Sequence, residues 1–140
     1  MAFLETRAAT APRTVLQAAG ICQITLAGTV FAGDCLGIDT ATWVLSASAT
    51  AEQPLLVALT DGYSGDVIDA AMMVVVEVTT TATNVATALG QLVCLDDNGL
   101  YKADTAEYPD VGFVTSIGAD SLSAVLYVCP LMAQLTVVRA

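Results

Sequence analysis

Short runs of β-branched and apolar residues, cut apart by Gly- and Asp-rich turns, constrain this chain more than any other feature. Seventeen Val and seventeen Thr stand among its 140 residues. Both side chains are stiff at χ1 and suit a pleated, half-buried surface better than a helix. Val74-Val75-Val76-Glu77-Val78-Thr79, Leu92-Val93-Cys94-Leu95 and Ala124-Val125-Leu126-Tyr127-Val128-Cys129 read as strands buried mostly on both faces. Turns separate them at Ala32-Gly33-Asp34, at Asp61 to Asp66 and at Asp96-Asp97-Asn98-Gly99. The last ends in Asn-Gly, the strongest short hairpin signal, and predicts a hairpin from Leu92–Leu95 to Leu100–Ala103. Many short strands at close spacing predict an all-β fold, a small barrel or sandwich. Helix signals are thin: residues 84–89 suit one turn, with Thr83 or Asn84 as the N-cap.

Residues 1–20 read differently. They lack period-2 alternation, contain Pro12 and predict an extended N-terminal arm ahead of a single β domain over 21–140. Phe3, Leu4, Val15 and Leu16 supply apolar docking positions on that arm, and Arg7 and Arg13 supply charge. The body is strongly acidic. The chain carries 14 Asp or Glu against 4 Lys or Arg and no His, a net charge of −10. Between residues 21 and 138 the single base is Lys102. That balance opposes binding to nucleic acid phosphates and to anionic lipid. Charged residues make up 13% and hydrophobic ones 56%. Since a soluble surface usually wants about 25–35% charge, much of this surface is expected to face other protein. Apolar runs are too short to span a bilayer, and the opening Met1 to Glu5 is no export signal, so synthesis in a cytoplasm is expected.

Two stretches echo one another at an offset of 57. Gly33, Ile38, Asp39 and Trp43 fall on Gly90, Leu95, Asp96 and Leu100. Each stretch is followed by a Pro, an apolar strand, a loop and a long strand, which suggests two pseudo-repeats over 33–78 and 90–129.

Catalytic equipment is scarce. Without His, no Ser-His-Asp or Cys-His arrangement exists, and Gly62-Tyr63-Ser64-Gly65-Asp66 lacks the closing Gly of a nucleophile elbow. Asp39-Thr40-Ala41 and Asp104-Thr105-Ala106 resemble paired acid-protease motifs, but they sit off the 57-residue echo and suit Asx-type turns better. Asp96-Asp97-Asn98-Gly99 lacks the ligand spacing of a calcium loop. Cys22, Cys35, Cys94 and Cys129 lie in apolar stretches without zinc spacing and read as buried thiols. We expect no enzyme activity, cofactor or metal.

The stretch Leu89 to Ala103, with Asp110-Val111-Gly112-Phe113-Val114 and the closing strand at 123–129, resembles the tailed-phage head decoration proteins, also called cement or capsid-stabilising proteins. The shared pattern is a Gly-x-x-Val strand, an Asn-Gly turn, an Ala-rich stretch and a Val-Gly-Phe strand across residues 21–130. The four cysteines and the high hydrophobicity depart from it. The resemblance implies a small β-barrel or β-tulip core with an extended arm. It implies homotrimers or dimers on the outer surface of a virion, clamping neighbouring copies of the major capsid protein. Trp43, Tyr63, Tyr101 and Tyr108 are then candidate interface anchors, since aromatics are enriched at interface hot spots. A head-fibre or tail structural component, or a carbohydrate-binding β-sandwich module, is the alternative.

Overall fold

The computed structural model describes residues 13–46, 53–79, 89–96, 99–103, 110–118 and 123–133. Nine strands account for most of them: β1 (Arg13–Thr25), β2 (Cys35–Asp39), β3 (Thr42–Leu45), β4 (Leu56–Ala58), β5 (Val67–Thr79), β6 (Leu92–Leu95), β7 (Tyr101–Ala103), β8 (Asp110–Ile117) and β9 (Ser123–Val128). The fold is all-β, as the Val and Thr runs predict, and every paired strand is antiparallel. Among the described residues no helix is long and apolar enough to cross a membrane.

β5 is the spine. One of its edges carries β1 along almost the whole length, from Arg13 opposite Val78 to Thr25 opposite Val67. The other edge is shared. β4 takes Ala70 and Ala71, and β9 takes Val74 to Thr79. Two branches leave the spine there, giving the strand order β3-β2-β4-β5-β9-β8-β6-β7. That order reads alike from both ends. β2 pairs β3 and β4, and β4 pairs β5; β6 pairs β7 and β8, and β8 pairs β9. The stretches that echo in sequence therefore occupy matching places in the two branches. Gly33 and Gly90 both take positive φ, and each donates its N–H to the strand two elements on, at Ala58 and Val114.

Curling brings the branches back together. Leu26, just past β1, bridges Trp43 on β3 in parallel, and the half-barrel so formed surrounds Ile24, Val30, Leu36, Leu56, Ile68 and Ala70. The larger core lies under the second branch, around Val74, Val76, Val78, Val93, Val111 and Leu126. β2 and β4 form the wall between the cores. Leu36, Leu56 and Ala58 face the smaller, while Cys35 and Val57 face the larger. A strand covered on both faces shows no polar alternation, which is why β4 reads Leu-Val-Ala.

The arm reading fails from residue 13 onward. Residues 13–20 are the first half of β1, hydrogen-bonded to β5, so the β domain begins before residue 21. The Asn-Gly hairpin forms where the sequence puts it, with Leu95 opposite Tyr101 and Gly99 at φ 81°. The helical turn read at 84–89 lies, but for Leu89, outside the described residues.

Candidate interaction surface

Arg13 is the first described residue, and its side chain turns inward. The guanidinium meets the Asp34 carboxylate at 2.5 Å, with both side chains almost fully buried. Asp34 also accepts the Phe31 N–H at 2.8 Å, which fixes the turn before β2. Burial is the largest influence on Arg13 and opposes its charge, yet Asp34 and its neighbours outweigh it and hold the group above its ordinary pKa. Beside this pair, the Tyr101 hydroxyl on β7 donates to the Gly33 carbonyl at 2.6 Å and lies 3.6 Å from the Cys35 thiol. Burial pushes Cys35 up to about 12 and raises Tyr101 well above its ordinary value. Both groups are therefore neutral. One cluster thus ties β1, the start of β2 and the far strand β7.

This geometry corrects two expectations. Arg13 is not available to pair with a partner's acids, because Asp34 already holds it in the interior. Tyr101 is not an interface anchor, because it is fully buried. Val15 packs on the larger core instead of projecting from an arm, and Trp43 packs on the smaller one. Leu16 and Tyr63 are exposed, at 51% and 68%. Phe3, Leu4, Arg7 and Tyr108 lie outside the described residues. Asp34 is the residue that sequence reasoning missed. The signal was there: Arg13 is followed by a stretch without charge, Thr14 to Gly33, and then by that acid.

Several acidic side chains serve turns. Asp61 accepts the Ala32 N–H, Asp66 the Tyr63 N–H, and Asp96 the Leu100 N–H. Among the described residues, no three Cys, Asp or Glu side chains gather to hold a metal ion. Cys22 is exposed on β1, whereas Cys35 and Cys94 are buried and Cys129 partly so.

The outward features are apolar. Gln17, Val75, Tyr127, Phe113 and Leu92 lie side by side across five strands, in register through β1, β5, β9, β8 and β6. The last four are half-buried. Phe113 and Tyr127 stack with ring centroids 5.4 Å apart, and the Tyr127 hydroxyl donates to the Met73 sulfur. A groove of about 100 Å³ runs between Gln17, Ala19, Met73, Val75 and Tyr127. Ile21 and Val67 are more than half exposed nearby in the β1/β5 pair. The arrangement offers apolar contact area.

No known protein-family model matches the chain, and no curated protein matches its sequence. A solved structure does match in fold. The N base of the head fiber protein gp8.5 of bacteriophage phi29 superposes with a TM-score of 0.54 at 14% identity, over 79% of this chain and 93% of that one. At that identity the two share a fold.

Proposed function

We propose that this chain is a structural protein of a tailed-phage head, seated on the outer surface of the virion. There it decorates and stabilises the capsid by bridging neighbouring copies of the major capsid protein. The observation that carries this reading is the fold shared with the N base of a phage head fiber. The surface supports it: apolar positions on β1, β5 and the Tyr63 turn are exposed in a chain poor in charge. The mechanism is mechanical. Apolar area buried between subunits opposes their separation, and many copies on one shell add their contacts by avidity. A net charge of −10 favours a protein partner over packaged nucleic acid.

A second reading, the base of a head fibre, is favoured by the role of the neighbour itself. Co-sedimentation with empty heads of the source virus, titrated to saturation, tests both. Saturation near one copy per capsid subunit is the outcome expected for a cement protein. Saturation at a small fraction of the subunits indicates a fibre base. A folded protein that leaves the heads bare sinks both readings.

A further inference from the structure

β1 is 13 residues long and paired on one edge only. β4 and β9 both occupy the far edge of β5. Among the described residues nothing pairs with the second edge of β1 until Leu26 meets Trp43. From Ala19 to Gln23 five consecutive residues are exposed, so this part of the strand is open on both faces as well. Leu16 and Ile21 are 51% and 59% exposed. A long, apolar, unpaired edge is a template for another strand, and proteins usually block such edges with Lys, Pro or bulges. β1 has neither Lys nor Pro, and its register irregularity lies between Val15 and Gln17, away from the exposed run.

We propose that β1 pairs with β1 of a second copy of this chain, antiparallel about a twofold axis, to give one sheet running β5-β1-β1-β5 across a homodimer. Charge placement selects the occupant. The chain carries −10, so most faces of a second copy are repelled, but Thr14 to Gly33 bear no charge. The nearest acids in the ladder stand one strand inward, Asp69 opposite Gln23 and Glu77 opposite Thr14. Three inter-strand spacings then separate acids of the two copies, roughly 14 Å in all, which exceeds the screening length of about 8 Å at physiological salt. Strand length selects the twofold. β7, an end strand of the order, is three residues long with Lys102 at its centre, too short to cover β1. A second β1 matches it.

Sedimentation velocity of the full chain over a concentration series tests the proposal. The expected result is a reversible monomer–dimer equilibrium that barely responds to salt. Leu16→Lys with Ile21→Lys should weaken it roughly tenfold or more while the far-UV spectrum is kept, since both copies then bring like charges to the shared edge. If that pair fails to fold, Gln17→Lys with Gln23→Lys places charge on the same edge at exposed polar positions. Amide exchange should show β1 gaining protection as concentration rises. A monomer at every concentration, a trimer, or a dimer indifferent to these substitutions overturns the proposal. The pairing stands apart from the virion role: a dimer that leaves heads bare sinks only the latter.

Discussion

Asp34 ties the start of β1 to the turn before β2. It neutralises a buried Arg13 and caps the turn at Phe31. Removing one partner of a buried ion pair leaves the other charge stranded in the interior, which costs about 3–5 kcal/mol. Asp34→Ala should lower unfolding free energy by that amount in a urea titration. Strain of another kind sits at the β2–β3 hairpin, where Thr40 and Ala41 both take positive φ, 50° and 81°. A Cβ is unfavourable there, so Ala41→Gly should raise stability by about 0.5–1 kcal/mol, seen as a higher denaturation midpoint at unchanged slope. The turn itself was legible from Asp39-Thr40-Ala41. Its handedness was not, because the sequence lacks the Asn-Gly that usually marks it.

At the level of elements, legibility followed how each strand is covered. The β6–β7 hairpin announces itself through Asn98-Gly99, and β9 through its unbroken apolar run. β1 hides. Its register shifts between Val15 and Gln17, Gly20 takes positive φ, and residues 19–23 are exposed on both faces, so no period of two survives. A strand of this kind looks like a tail until its partner is known. Deleting residues 1–20 removes Arg13 and much of the β1–β5 ladder, and it takes the guanidinium away from the buried Asp34 carboxylate. The truncated chain should lose its cooperative thermal transition; a near-native melting curve would show that β1 is dispensable. Gly112 on β8 is a tighter spot. A Cβ there would run into the Tyr127 backbone on β9. Gly112→Ala should cost about 1–3 kcal/mol in the same urea titration, as overpacking does.

For the whole molecule, the strand order is palindromic, with two branches leaving β5. How they meet is not written in any local stretch of the sequence. The wall of β2 and β4, shared by two cores, depends on curling that no local pattern encodes. The Tyr101 hydroxyl on Gly33 crosses from the end of one branch to the start of the other. That junction is alkali-sensitive. The folded state holds Cys35 neutral up to about 12, against an ordinary value of 9.0. Unfolded chains therefore lose that proton first, and stability is full below about pH 9 and declines as pH rises toward 12. Tyr101, raised in the same direction, steepens the decline. Urea midpoints measured across that window should fall with pH, and Cys35→Ala should flatten the early part of the slope.

The separation of β1 from its partner in the chain has a consequence during synthesis. β1 ends at Thr25, and β5 is complete only at Thr79. At roughly 5–20 residues per second, a ribosome takes about 3–10 s to supply the missing strand. For that interval every copy offers a strand uncharged from Thr14 to Thr25 with no partner of its own, and successive ribosomes on one message hold such copies side by side.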